Sequence, residues 1–258
     1  MFYARRTKNL FNPSGSEPFR MSRSKIELFL NCPRCLYLDA RLGIPRPSMV
    51  PLTLNNAVDA LLKKEFDVYR AKNTAHPLIE RYGVDAIPFA HADIDAWRDA
   101  LRRGVTYLHP ETNFFVTGGV DDVWVNQAGE LIVVDYKATS KASEVTIDAD
   151  WQMGYKRQME IYQWLFRRNG FPVSSTGYFV YVNGKTDAEA FDAKLEFDVK
   201  LIPYAGDDAW VEGALLQIRK CLAAERIPAA ADECEYCSYA LLRSRAESEA
   251  SRNASKLL

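Results

Sequence analysis

Two hydrophobic periods divide the chain. After Ser22 or Ser24, either able to cap a helix, Ile26, Phe29 and Leu30 recur at helical spacing until Pro33 interrupts them beside Cys32 and Cys35. Pro45, Pro47 and Pro51 mark a turn-rich connection, and residues 54–71 then place Val58, Leu61, Leu62, Phe66 and Tyr69 on one face of a second helix. Residues 94–103 predict another. The period then falls to two: 105–109, 114–117, 121–126 and 131–137 are β-branched and aromatic, separated by Gly118-Gly119 and by the turn at 127–129, and read as a run of antiparallel hairpins. A long helix over 151–169, strands over 177–182 and 195–203, and a helix over 207–224 complete the pattern. Strands interleaved with helices in this order predict an α/β (α+β) fold around one mixed sheet flanked by helices.

Composition narrows the class. The 258 residues are 48% hydrophobic and carry 33 Lys+Arg against 34 Asp+Glu, which excludes disordered, collagen-like and mucin-like chains and a histone-like polycation. Contact with nucleic acid must then come from local basic stretches: Arg5, Arg6, Lys8, Arg20, Arg23 and Lys25, and Lys156, Arg157, Arg167 and Arg168 on the long helix. Residues 1–21 mix Gly, Pro, Ser and basic residues without periodicity and are expected to form a flexible basic arm. Residues 22–240 form the folded domain and 241–258 a polar tail. With no signal-peptide core and no apolar run of about 20 residues, the expectation is a cytoplasmic protein without a membrane partner.

The chemistry concentrates on two strands. Asp135 and Lys137 are two apart and share a face, while Tyr136 turns its side chain away and leaves its carbonyl near the same end; Asp121 ends the Gly-Gly turn of the neighbouring strand. Two carboxylates and a carbonyl are hard ligands of the kind Mg²⁺ or Mn²⁺ takes, and a lysine beside them can orient water or neutralise charge on a phosphate. The implied chemistry is metal-assisted phosphodiester hydrolysis. The apolar run 131–134 runs straight into Asp135 and Lys137, where unpaired charges would be costly.

Four elements in order now resemble the PD-(D/E)XK nuclease superfamily, in particular its RecB-like branch of helicase-nuclease domains and small CRISPR-associated nucleases. They are Asn31-Cys32-Pro33-Arg34, Gly118 to Asp121, Asp135 to Lys137, and Gln158 to Tyr162. The likeness spans about residues 22–239 and implies a restriction-endonuclease-like core with a mixed central sheet. It implies Asp121, Asp135 and the Tyr136 carbonyl as metal ligands, Lys137 as the catalytic lysine, and Gln158 with Tyr162 near the scissile phosphate. Many relatives carry a histidine ligand on the helix after the Cys-Pro-Arg element; here Asp59 is the candidate substitute, the alternative being a residue on the helix's wet face, and a third carboxylate would favour Mg²⁺ or Mn²⁺ further over Zn²⁺.

Cys32-Pro33-Arg34-Cys35 and Cys234-Glu235-Tyr236-Cys237 have the inner spacing of tetrahedral thiolate ligands; Cys221 is expected to be an ordinary buried cysteine. Cluster-bearing relatives take one cysteine from the N-terminal helix and three from the C-terminal group, whereas this chain divides them two and two. A [4Fe-4S] cluster is favoured by the resemblance and a structural Zn²⁺ by the pairing, and either would pin the N- and C-terminal segments together. The expected activity is a metal-dependent DNA nuclease, an exonuclease on ends or single strands, in repair, recombination or CRISPR and mobile-element processing. With no helicase motif in the chain, unwinding would fall to a helicase or other DNA-processing partner. The competing readings are an inactive nuclease-fold DNA-binding or assembly module and a zinc-binding interaction protein.

Overall fold

In the computed structural model, which describes residues 5–48 and 53–254, the chain runs β1 (Phe19–Ser22), α1 (Arg23–Asn31), α2 (Pro33–Leu42), α3 (Thr53–Lys72) and α4 (Pro77–Arg81). It continues through β2 (Ile87–Pro88), α5 (Ile94–Arg98), β3 (Val105–His109), β4 (Phe114–Gly118), β5 (Asp122–Val125) and β6 (Leu131–Thr139). The last elements are α6 (Met153–Arg168), β7 (Thr176–Gly184), β8 (Phe197–Ala205), α7 (Trp210–Ala223) and α8 (Glu235–Ala254). Among the described residues no helix is long and apolar enough to cross a membrane.

The strands divide between two mixed sheets rather than forming one. β1 pairs parallel with β4, which pairs antiparallel with β3. The other sheet has the order β2-β5-β6-β7-β8, antiparallel except for β6 with β7. The break falls at Gly118-Gly119, where β4 and β5 part to opposite sheets instead of closing a hairpin; a Cβ on Gly119 would lie 2.3 Å from the Ala100 Cβ. That close approach also explains why α5 stops at Arg98 and not at 103, since the chain turns there to bring Ala100 against the glycine.

β6 is buried on both faces. Leu131 and Val133 join the larger core with Met159, Tyr162, Leu165 and Phe166 of α6. Ile132, Val134 and Tyr136 join a second core with Phe66 of α3 and Trp124 of β5. Each fully buried side chain of this kind is worth about 1.5–3 kcal/mol, so the strand is held from both sides. The crossover that a parallel pair requires is supplied by α6. It docks closely because Gly118 leaves room: a Cβ there would stand 2.6 Å from the Tyr162 ring.

Three further expectations change. On α3, Phe66 is buried and Val58 and Leu62 pack beside it at i, i+4 and i+8, but Leu61 is exposed, one position off that stripe. The described part of the N-terminal arm is tied down, because Phe11 stacks edge-on against Phe19 and Phe114 and Arg6 reaches Asp39 at 2.9 Å. Isolated apolar positions without periodicity gave no sign of this. The expected tail continues as α8 to Ala254: its Ala, Leu, Arg and Glu residues favour helix although it buries almost no face. Pro51, residues 1–4 of the arm and residues 255–258 of the tail lie outside the described residues.

Candidate functional site

Strand alternation decides which carboxylates meet. Asp122 pairs with Val134 and Trp124 with Ile132, placing these side chains toward α3; the residues between face α6. Continued by one residue, the same register brings Asp121 opposite Asp135. The Asp121 carboxylate accepts the Tyr136 N–H at 2.8 Å. Lys137 is ion-paired with the fully buried Asp135, and its ammonium lies 4.4 Å from the Tyr155 ring centroid. Gln158, one turn before Tyr162 on α6, donates to Asp135 Oδ1 at 2.7 Å and to the Tyr162 hydroxyl at 3.1 Å.

Asp121, Tyr136, Lys137 and Gln158 line a cleft of about 550 Å³ together with Asp59, Arg23 and Trp151, while Asp135 and Tyr162 lie buried behind it. Asp59 thus lines the same cleft as Asp121, but its own carboxylate accepts from Lys63 at 2.8 Å, and Lys63 stands 3.8 Å from Asp121. Lys63 escaped the sequence reading. The available signal was its i, i+4 spacing from Asp59, which is shared by many solvated helix pairs.

Electrostatics make the cleft a place of conflict between like charges. Burial, and after it the nearby Asp135 carboxylate, push the Asp121 pKa up to about 7, against the pull of Lys137, Lys63 and the Tyr136 N–H. Burial works against the Lys137 ammonium, but Asp135 and Asp121 outweigh it and raise its pKa. Tyr162 is also raised, chiefly by burial. A hard divalent cation held between the two carboxylates would remove the repulsion that a proton on Asp121 otherwise relieves.

Asp122, adjacent to Asp121 and fully buried, serves the frame. It is ion-paired with Arg70, lies 2.9 Å from Arg98 and accepts the Tyr136 hydroxyl at 2.9 Å. Arg98 also donates to the Asp121 carbonyl at 3.1 Å, so this buried network holds the main chain that presents Asp121. Of the basic residues expected to meet phosphates, Arg23 lines the cleft. Arg6 and Lys25 are engaged by Asp39, Arg157 by Glu27, Arg167 by Asp208 and Arg168 by Glu212.

The second site gathers Cys32, Cys35, Cys234 and Cys237, whose sulfurs all lie within 4.8 Å of one another; none is in a disulfide. Sulfur separations are 3.8 Å for Cys32–Cys237, 3.5 Å for Cys35–Cys234 and 3.6 Å for Cys35–Cys237. Around them the Tyr37 hydroxyl donates to the Ala224 carbonyl at 3.0 Å and Arg34 to the Pro228 carbonyl at 2.9 Å. The two ends of the domain meet here. Cys221 is half-buried and stands apart from the four, its thiol facing the Pro33 carbonyl.

A family model described as the PD-(D/E)XK nuclease superfamily matches residues 20–241. No curated protein matches the chain.

Proposed function

The chain belongs to the PD-(D/E)XK nuclease superfamily, and from that premise we propose that it is a divalent-metal-dependent DNA nuclease of the RecB-like branch. It hydrolyses phosphodiester bonds as an exonuclease at ends or in single strands, in repair, recombination or the processing of CRISPR and other mobile elements. The observation that carries this reading is the convergence of Asp121, Lys137 and Gln158 on one cleft, with the fully buried Asp135 held behind them by Gln158 and Lys137, and with the Asp121 pKa pushed up to about 7 by burial and by Asp135.

Asp121, Asp135 and the Tyr136 carbonyl would hold Mg²⁺ or Mn²⁺, with Asp59 at the rim; bound there, the ion would polarise the phosphodiester and lower the pKa of the attacking water. Lys137 keeps its proton because Asp135 and Asp121 favour the ammonium, and it offers that charge to the phosphate as negative charge builds in the transition state. Gln158 fixes the Asp135 carboxylate through one oxygen and is steadied by Tyr162, which rests on Gly118. Arg23 supplies a phosphate contact, and Trp151, 60% exposed at the cleft, offers a stacking face for an unpaired base. That exposed aromatic supports single-stranded or frayed DNA as substrate, with unwinding left to a helicase or other DNA-processing partner.

The test separates chemistry from binding. Lys137→Ala should abolish cleavage of end-labelled DNA while leaving anisotropy-measured DNA binding within a few-fold of wild type. Cleavage at the wild-type rate would remove Lys137 from the reaction.

A further inference from the structure

The four sulfurs are too close together for a cluster. Four thiolates about 2.3 Å from one ion in a tetrahedron lie about 3.8 Å apart along every edge. The separations of 3.5, 3.6 and 3.8 Å match that edge. A [4Fe-4S] cubane takes one thiolate on each of four separate irons, which spreads its sulfurs around the outside of the cube and well beyond a single-ion tetrahedron. The cysteines of this chain, drawn within 4.8 Å of one another, leave no space for that cube.

The local backbone explains why the ligands come in twos. Cys32 is the N-cap of α2, Pro33 its first residue, and the Cys32 carbonyl accepts from Leu36 at 3.2 Å. Cys234 stands in the same relation to α8, its carbonyl accepting from Ser238 at 3.0 Å. Each Cys-x-x-Cys therefore spans the first turn of a helix, and two helix N-termini, partially positive, face the same four sulfurs. A tetrathiolate around a dication carries two net negative charges. Arg46 meets them: its guanidinium donates to Cys234 Sγ at 3.4 Å, lies 4.5 Å from the Tyr236 ring centroid, and has its Nε buried without a hydrogen-bond partner.

We infer that Cys32, Cys35, Cys234 and Cys237 hold one Zn²⁺ in a closed structural site, with Arg46 as the hydrogen-bonding cation beside it. The zinc ties the α1–α2 junction to the start of α8, segments some two hundred residues apart in the chain, and Arg46 positions and partly neutralises the thiolates. The inference rests on the sulfur geometry and is independent of the nuclease reading, since no cleavage is measured in its test.

The full chain should be expressed with both iron and zinc supplied, purified without oxygen, and assayed for metals and acid-labile sulfide. One zinc per chain, without sulfide, is expected. Four irons with four sulfides, a single iron, or no metal would overturn the assignment, and this readout needs no variant to fold. Arg46→Ala should retain zinc yet lose it to a chelator at about 10–100-fold lower chelator concentration, with Arg46→Lys recovering part of the difference. Chelator competition identical to wild type would remove Arg46 from the site.

Discussion

Replacing Asp121 by Asn tests the charge conflict in the cleft through stability alone. An unfolded aspartate ionises near 3.8, whereas burial and Asp135 hold Asp121 protonated up to about 7. Between those values the folded chain binds more protons than the unfolded one, so the stabilisation from this group is complete below about pH 4 and is lost as pH rises through about 7. A gap of about three units corresponds to on the order of 4 kcal/mol. In a chain of this size that is about 8–16 °C of melting temperature as an upper bound. A divalent cation acts in the opposite direction, because it needs the ionised carboxylate. Its apparent affinity falls about tenfold per pH unit below 7, which at saturating excess costs about 1.4 kcal/mol, or about 3–6 °C, per unit.

The assay is thermal unfolding at about pH 5.5 and about pH 8, in EDTA and with Mg²⁺ or Mn²⁺. Wild type should gain more from the metal at the higher pH. Asp121→Asn, which removes one of the two opposed charges, should melt higher than wild type in EDTA at about pH 8 and should lose most of the metal-induced gain. An Asn variant with the full wild-type metal response would refute the reasoning. So would a metal-free wild type that gains stability relative to the variant as pH rises.

Other substitutions probe the frame. Asp122→Ala leaves Arg70 and Arg98, each 8% exposed, without their buried partner and should cost about 3–5 kcal/mol in denaturant unfolding. The metal-induced gain should shrink, because this network holds the main chain that presents Asp121, and a loss under 1 kcal/mol would contradict the buried network. Gly118→Ala forces a methyl to within 2.6 Å of the Tyr162 ring. It should cost about 1–3 kcal/mol and slow cleavage more than it weakens DNA binding, since it shifts Gln158 and Tyr162 together. Unchanged unfolding would show that α6 docks more loosely than described.

Some of this was legible in the chain and some was not, for physical reasons. The run 131–134 leading into Asp135 and Lys137 marked a buried strand delivering charge to its end, and period-two alternation alone separates Asp121 from Asp122. The cysteine pairs announced themselves by spacing; that they converge on single-ion distances needed the fold. Gln158 and Tyr162 stood out only beside the strand motifs, because a Gln and a Tyr one turn apart are common on any helix. Lys63 was invisible for the same reason. The parting of β4 from β5 at Gly118-Gly119 reads like a hairpin turn until the contact with Ala100, eighteen positions upstream of Gly118, is known. Phe11 and α8 were missed because one is a lone apolar residue and the other a helix with almost no buried face.

The central claim, that Asp121 and Asp135 hold the divalent cation by which this chain cuts DNA, is tested most directly by incubating purified protein with end-labelled single- and double-stranded DNA. Mg²⁺, Mn²⁺ or EDTA would be present, with Asp135→Ala as the matched control. Cleavage that requires the metal and disappears in the folded Asp135→Ala protein is the predicted result. Cleavage that persists in EDTA or in the variant would contradict it, as would well-folded, metal-supplied wild type that leaves both substrates intact.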